Sequence, residues 1–415
     1  MSLPPALLNL VDQAKDALWA LTACIFHPSA KVKINGRTFK IVKVLGEGGF
    51  SFVYLCQDEA SGVSLREFAL KKIRCPTGSE DVRQAMREVE AYRRFKHPNI
   101  IRILDSAVVQ DPDGEGKIVY LFLPLYKRGN LQDAINAHSI NDTHFPEKEM
   151  VKLFKGTCEA IRAMHDYRAP QSSRLPQPEH HSDDEDDEGF PQAHGDDEGG
   201  YSYHNSGAIP LSNKLPSKKG RGAGGEEESG LMNDDPADLE VHRSSPAPGG
   251  SGEMELFPFA HRDMKPGNVM VADDGSPILM DFGSAIPARI KVETRSQALL
   301  QQDIAAEHST MAYRAPELFD VKTGVTLDEK VDIWSLGCTL FALAYLHSPF
   351  ESLQMAQQGG SIAMAVMNAQ YKHPQSAYSQ GLKNLIDATL KANPTDRPNI
   401  HQLIEMTDRV LRSLS

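Results

Sequence analysis

Three side chains suited to phosphoryl transfer lie in residues 261–268, HRDMKPGN. Asp263 can accept the proton of an attacking hydroxyl group and orient its oxygen, and Lys265 can neutralise the transferring phosphoryl group. Asn268 follows Asp263 by five residues and can bind Mg²⁺. Phosphoryl transfer depends on positioning and charge stabilisation more than on covalent chemistry. This octapeptide therefore predicts the catalytic loop of a phosphoryl-transfer enzyme.

A second acidic group follows a stretch that is typical of a strand. Asp281 begins the triplet Asp-Phe-Gly, directly after the residues 277–280, PILM. At this distance from Asn268, its carboxylate can bridge Mg²⁺ to the β- and γ-phosphates of a nucleotide. We expect Asn268 and Asp281 to form the metal site.

A lysine and a glutamate in the first third of the chain are candidates for holding the nucleotide. Lys71 ends the third predicted strand, 68–71, where it can bind the α- and β-phosphates. Such a lysine needs an acidic partner, and Glu88 on the following predicted helix can provide it. Glu90 is the nearest competitor, but a two-residue offset turns it to another side of a helix.

A glycine-rich stretch, LGEGGFSFV, lies between the first two predicted strands. Glycines let backbone amides approach a triphosphate where a side chain would collide. Ser51 stands at the third glycine position of the usual pattern, and a small residue still fits there. The predicted nucleotide contacts are Leu45, Gly46, Glu47, Gly48, Gly49, Phe50, Ser51 and Val53.

Apolar periodicity predicts the elements that position these groups. Strands are expected at 39–42, 52–55, 68–71, near 100–104 and at 118–123. Helices are expected near 82–95 and 148–165. After residue 259 the pattern begins as strands and then becomes mostly helical.

The acidity of the chain is concentrated in one segment. The net charge of the 415 residues is −12, and residues 169–258 hold 19 Asp or Glu against 6 Lys or Arg. The rest is close to neutral, which argues against a nucleic-acid binder. The segment is rich in Gly, Pro and Ser and poor in periodic apolar residues, so we expect a disordered insert.

The first 30 residues are expected to form an amphipathic helix, with apolar residues that recur at helical spacing between residues 7 and 25. The five cysteines are widely spaced and form no C-x-x-C pair, which favours a reduced intracellular protein. No secretory signal pattern or bilayer-spanning apolar run is recognised. The sequence thus predicts a cytoplasmic protein.

Residues 37–168 and 259–413 together resemble a eukaryotic protein kinase domain. The resemblance rests on the motifs above, on Ala-Pro-Glu at 315–317, on DIWSLG at 332–337 and on Arg397, which matches an arginine that pairs with Glu317. It implies an α+β, two-lobed fold with a β-rich small lobe and a mainly helical large lobe. The implied bounds are 37–126 for the small lobe, and 127–168 and 259–413 for the large lobe.

More narrowly, the chain resembles the Numb-associated kinase family and its serine/threonine kinase 16, or myristoylated and palmitoylated kinase, branch. Matching segments include 124–129, 279–284, 296–299, 302–306 and 313–319. The resemblance implies Leu123 as gatekeeper, and Pro124 to Tyr126 as the hinge that meets adenine. It also implies that the 315–317 triplet closes the activation segment, that a short helix follows directly, and that the enzyme is active without a separate activating kinase. Lys265 and Thr310 favour serine or threonine as acceptor, although some members of this branch also accept tyrosine.

Membrane attachment is a further expectation from that branch. The branch's best-known members begin Met-Gly and can be myristoylated, but Ser2 follows Met1 here, so myristoylation is not expected. Cys24 is the candidate for palmitoylation, and the N-terminal helix would be the second membrane contact. The branch implies Golgi, endosome or vacuole membranes and a role in membrane trafficking. The alternative is that the helix packs on the small lobe or on a partner protein.

The predicted function is therefore a serine/threonine protein kinase that uses ATP and Mg²⁺ on protein substrates. A pseudokinase scaffold is the alternative, and it would lack one of Lys71, Asp263, Asn268 or Asp281, which are all present. A small-molecule kinase would lack the 315–317 triplet and the 332–337 segment.

Overall fold

The small lobe is built on an antiparallel sheet that begins with a tight hairpin. Asn35 and Gly36 have positive φ angles of 45° and 83°, which suit the two-residue turn that joins the first two strands. The sheet has six strands in the order β1-β2-β3-β4-β6-β5. These strands are β1 (Lys31–Ile34), β2 (Arg37–Gly48), β3 (Ser51–Asp58), β4 (Arg66–Cys75), β5 (Asp105–Gln110) and β6 (Lys117–Leu123).

The structure is a computed structural model, which describes residues 31–48, 51–58, 66–76, 78–112, 114, 116–170, 254–351 and 361–414. The predicted N-terminal helix with Cys24, the loop residues Gly49 and Phe50, and most of the predicted acidic insert lie outside these ranges. Within them, no helix is long and apolar enough to cross a membrane.

The large lobe is mainly helical around one buried helix. The helices of the described chain are α1 (Ser79–Arg94), α2 (Leu131–Ile140), α3 (Glu147–His165), α4 (Arg295–His308), α5 (Lys330–Tyr345), α6 (Ile362–Met367), α7 (Gln380–Thr389) and α8 (Ile400–Ser413). All residues of α5 except its first are buried. It packs against α3 and α7, and α3 also packs against α8. The α+β, two-lobed fold expected from the sequence is confirmed.

Short strand pairs complete the large lobe and carry the catalytic segments. The pairs are β7 with β8, β9 with β12, β10 with β11, and β13 with β14. Their bounds are β7 (Arg168–Pro170), β8 (Met254–Leu256), β9 (Phe259–Ala260), β10 (Val269–Val271), β11 (Pro277–Leu279), β12 (Ile286–Pro287), β13 (Ile290–Val292) and β14 (Val325–Leu327). Strands β7 and β8 include residues at both ends of the segment predicted to be disordered.

One strand prediction was wrong. The apolar run 100–104 forms no strand, and β5 begins at Asp105 instead. Within the run, the Leu104 amide donates to the Phe122 carbonyl of β6 at 2.8 Å. Ile100 and Ile101 are buried, and the Ile101 amide donates to the Leu279 carbonyl at 2.9 Å. Its isoleucines belong to the hydrophobic core, and its backbone pairs with the last residue of β11 in the large lobe.

The position of one implied helix was also wrong. No α-helix follows directly after the 315–317 triplet, because the described residues 319–329 contain only the strand β14. The helix α4 lies earlier, between Asp281 and that triplet. It begins at Thr294, whose side chain accepts a hydrogen bond from the Gln297 amide while the Gln297 side chain bonds back to the Thr294 amide. This reciprocal cap explains why the helix starts here.

Candidate active site

The catalytic loop is held by one buried carboxylate. Asp332, at the start of α5, accepts hydrogen bonds from the backbone amides of His261 and Arg262 at 2.8 and 2.9 Å. It also pairs with His165 Nε2 of α3 at 2.9 Å. Burial raises the pKa of Asp332, but the bond from His165 and the nearby positive charge bring it below its usual value. Arg262 has a φ of 66°, so these bonds hold the turn that leads into Asp263.

Asp263 lies at the centre of a hydrogen-bonded cluster. Its Oδ1 accepts from the Thr310 amide at 2.9 Å and from the Thr310 hydroxyl at 2.8 Å. Lys265 Nζ donates to Asp263 Oδ2 and to Thr310 Oγ1, both at 2.7 Å. The Asn268 side-chain amide donates to the Asp263 carbonyl at 2.7 Å. Both carboxylate oxygens of Asp263 are therefore fixed in orientation.

Lys71 pairs with one carboxylate from each lobe, Glu88 of the small lobe and Asp281 of the large lobe. Its Nζ donates to Glu88 Oε1 at 2.7 Å and to Asp281 Oδ1 at 3.0 Å. Burial lowers the pKa of Lys71, but Asp281 and Glu88 more than offset this and hold it well above its usual value. The charge of Lys71 in turn lowers the pKa of Asp281 to about 2. Glu90 instead pairs with Arg94, so the structure brings Glu88 to the lysine.

Asp281 has a strained backbone that α1 supports. Its φ is 64°, an uncommon value for a residue with a side chain. Its amide donates to the Tyr92 hydroxyl at 3.2 Å. Phe282 is 1% exposed and meets the Tyr92 ring edge-on at a centroid distance of 5.0 Å. Tyr92 was missed in the sequence, where it carries no motif and lies one helical turn after Glu88.

The glycine-rich residues run alongside Lys71 in the sheet. Gly46 on β2 is opposite Val53 on β3, and Val53 is opposite Lys71 on β4. Gly48 is opposite Ser51, and a Cβ atom at Gly48 would lie 3.0 Å from Ser51 Oγ. Leu45 and Glu47 are exposed on the same strand. The ends of the predicted nucleotide loop are thus next to the lysine.

The predicted hinge directly follows β6. Leu123 is buried at its end, and Pro124 and Tyr126 are half-buried. Burial raises the pKa of the Tyr126 phenol. The Gly129 amide donates to the Tyr126 carbonyl at 3.3 Å, which turns the chain toward α2.

Arg262 is a buried arginine with an unexpected neutral partner. It is 5% exposed, and its Nη1 donates to Gln301 Oε1 of α4 at 3.1 Å. Its Nε and Nη2 make no hydrogen bond within the described chain. Burial lowers the pKa of Arg262 to about 10. Gln301 was missed in the sequence, but the capping pattern at Thr294 would have indicated the helix that carries it.

Glu317 and Arg397 form the pair expected from the sequence. Arg397 Nη1 and Nη2 each lie 2.7 Å from an oxygen of Glu317. The guanidinium carbon lies 5.1 Å from the ring centroid of Trp334. The bidentate pair joins the end of the activation segment to the region before α8.

The donor set fits a magnesium ion that retains water and phosphate ligands. The Asn268 amide nitrogen is bonded to Asp263, which leaves its oxygen as the atom available to a cation. Asp281 stays ionised because of its lowered pKa. No group of three or more His, Cys, Asp or Glu suited to a metal occurs in the described residues. Two protein oxygens suit Mg²⁺, which commonly binds one or two side chains plus substrate phosphates.

Comparison with known proteins agrees with this geometry. The protein kinase domain family matches residues 39–169 and 256–407. Serine/threonine-protein kinase ENV7 of Saccharomyces cerevisiae is 32% identical over 394 residues, which cover 93% of this chain and 95% of that protein. Serine/threonine-protein kinase ppk13 of Schizosaccharomyces pombe is 31% identical, with 96% and 98% covered. Human serine/threonine-protein kinase 16 is 29% identical, with 91% and 92% covered. The chain belongs to the protein kinase family, and it is a serine/threonine-protein kinase.

Proposed function

We propose that Asp263 orients the hydroxyl group of a protein substrate toward the γ-phosphate of ATP and accepts its proton. Asp263 is suited to this because Thr310 and Lys265 fix its two oxygens. Lys265 also offers positive charge where the phosphoryl group transfers. A bound Mg²⁺ supplies charge neutralisation for the phosphates, and Asn268 and Asp281 are the residues proposed to hold it.

The residues proposed to bind ATP lie in the small lobe and in the hinge. Lys71, oriented by Glu88, binds the α- and β-phosphates. The glycine-rich residues 45–51 and Val53 cover the triphosphate, and Pro124 and Tyr126 meet the adenine. The observation that carries this assignment is the position of Lys71 between Glu88 and Asp281 at 2.7 and 3.0 Å.

Lys71→Ala tests the nucleotide assignment, and Lys72→Ala is the matched control. Lys72 is the next residue of β4, so its side chain points to the opposite face of the sheet. We expect Lys71→Ala to lower the rate of phosphate transfer from Mg·ATP by about 10²-fold or more, as for the loss of a transition-state charge contact. Lys72→Ala should keep the wild-type rate. Equal rates for Lys71→Ala and the wild type would overturn the assignment.

Activity without a separate activating kinase is also proposed. Many activation segments need a phosphate to pair with a cationic cluster. In this structure Arg262, beside the proposed catalytic base, bonds to the neutral side chain of Gln301 on α4. This contact holds Arg262 without a phosphate group as its partner. We expect the purified kinase to keep its rate after phosphatase treatment, as measured by phosphate incorporation. A loss of more than about 10-fold would contradict this proposal.

We propose that the chain belongs to the serine/threonine kinase 16 branch of the Numb-associated kinase family and works on an internal membrane in trafficking. The 29% identity to human serine/threonine-protein kinase 16 supports the branch. The proposed organisation has a membrane-binding helix at 1–30 and a small lobe at 37–126. The large lobe is formed by 127–168 and 259–413, with an acidic insert at 169–258. Palmitate on Cys24 would be one anchor, and the N-terminal helix would be the second.

Cell fractionation of Cys24→Ser tests the membrane proposal. We expect the variant to move from the membrane pellet to the soluble fraction, because one weak anchor does not hold a protein stably. Thr22→Ser, a small change two residues away in the same segment, is the control and should stay in the membrane pellet. Unchanged fractionation of Cys24→Ser would contradict palmitate at this position.

A further inference from the structure

Four lysines cover one face of the hairpin that begins the described chain. Lys31 on β1 lies directly opposite Lys40 on β2, and Lys33 lies two residues along the same face. Lys43 follows, past an irregularity in the strand register. Lys40 is half-buried, and the other three are exposed. We call these four side chains the lysine face.

The stretch of sequence that carries the lysine face has charge of one sign. Residues 17–46 contain five Lys or Arg and no Asp or Glu. The fifth basic residue, Arg37, pairs with Asp58. Lys33, Lys40 and Lys43 therefore place positive charge on this face, within a stretch of sequence that contains no acidic residue.

The negative charge of Glu67, which lies in the same row of the sheet as Lys40, is already balanced by a lysine. Lys40 is opposite Gln57, which is opposite Glu67. Glu67 pairs with Lys127 at 2.9 Å and accepts a hydrogen bond from Gln57 at 3.3 Å. The hydrogen bond from Lys127 lowers the pKa of Glu67. This row therefore adds no net negative charge beside the lysine face.

We propose that the lysine face binds an anionic phospholipid surface. The inference rests on the proposed membrane association through residues 1–30. Those residues end directly before Lys31, so a bilayer that holds them lies next to the lysine face. Their sequence contains a single Lys or Arg, Lys15. The N-terminal segment would thus supply apolar insertion, and the folded domain would supply the attraction to anionic lipid.

Vesicle flotation of the full chain tests this division. Vesicles of phosphatidylcholine alone are compared with vesicles that contain about 30 mol% phosphatidylserine, at about 0.1 M salt. The test variant is Lys33→Gln/Lys40→Gln. The control variant is Lys148→Gln/Lys152→Gln, which removes the same charge from two exposed lysines of α3. Each lysine near an anionic surface is worth a factor of roughly five in binding.

We expect the test variant to bind the anionic vesicles roughly 25-fold more weakly than the wild type, and the control to bind like the wild type. Raising the salt to about 0.5 M should weaken the wild type toward the level of the test variant. Unchanged rates on a soluble substrate would show that both variants are folded.

Three results would overturn the inference, and they separate it from the proposed function. Equal binding of wild type and test variant to anionic vesicles would mean that membrane association holds without the lysine face. Absence of binding to either vesicle would remove the proposed membrane association itself. Binding that appears only after deletion of residues 172–254 would identify the chain's own acidic segment, rather than lipid, as the occupant of the lysine face.

Discussion

At the scale of single residues, Lys71 forms ion pairs with a carboxylate from each lobe. Its ammonium group lies between Glu88 of α1 and Asp281, which follows β11. Asp281 stays ionised and Lys71 stays protonated, because each shifts the pKa of the other away from neutrality. The charges that hold ATP phosphates in the proposed site are therefore constant across the physiological pH range.

Asp281 should make stability depend on pH in a known direction. Its pKa is about 2 in the folded chain, below the ordinary value of 3.8. The stabilisation is complete well above pH 3.8 and is lost as the pH falls through 3.8 toward 2, because the unfolded chain binds the proton first. Denaturant unfolding at about pH 5 and about pH 3 measures this. The unfolding free energy lost between about pH 5 and about pH 3 should be smaller in Asp281→Asn than in the control variant Asp273→Asn. Equal losses in the two variants would contradict the lowered pKa of Asp281.

The proposed catalytic residues could be named from the sequence because each belongs to a short motif with its own chemistry. Asp263, Asn268 and Asp281 could be named from local spacing alone. The contacts that orient these residues could not be predicted in this way. Thr310 reaches Asp263 across 47 residues, and Asp332 reaches His261 across 71. Such long-range contacts depend on packing, which local periodicity does not report.

The helix α4 is the longest element between Asp281 and the 315–317 triplet. It begins with the Thr294 cap and contacts the catalytic loop through Gln301 and Arg262. Gln302 donates to the Phe319 carbonyl at 2.7 Å, which ties the helix to the end of the segment. Its apolar pattern is weak, so periodicity did not reveal it. The helix thus links the catalytic loop with the residues that follow the 315–317 triplet.

Removing the side chain of Gln301 tests this link. Gln301→Ala removes the oxygen that accepts the hydrogen bond from Arg262 Nη1. We expect a loss of about 1.5–3 kcal/mol in unfolding free energy, the cost of a hydrogen bond to a charged group, together with a lower kcat. Gln301→Glu keeps an acceptor and should retain most of the activity. Denaturant unfolding and steady-state kinetics of both variants measure the effect. Wild-type stability and kcat in Gln301→Ala would contradict a positioning role.

The whole molecule is one kinase fold whose chain is interrupted between the two matched parts. The family match covers residues 39–169 and 256–407 and leaves out the acidic stretch between them. Composition indicated this interruption, since the stretch has many charges and few periodic apolar residues. The strand pair β7 and β8 lies at its two ends.

Deleting residues 172–254 should leave catalysis intact. None of the proposed catalytic, nucleotide or metal residues lies in that segment. We expect kcat and KM for a generic protein substrate to stay within about twofold of the wild type, because long surface insertions change loop-closure free energy only slightly. A large loss of kcat in a folded deletion variant would show that the segment is part of the enzyme.

The role proposed for Asp263 is tested by phosphate incorporation into a generic protein substrate with the variant Asp263→Asn. We expect a rate roughly 10²- to 10⁴-fold below that of the wild type, because the variant loses the group proposed to accept the hydroxyl proton. Asp273→Asn, an equal change at an exposed position in the turn after β10, should keep the wild-type rate. Equal rates for Asp263→Asn and the wild type would contradict the assignment of Asp263 as the catalytic base.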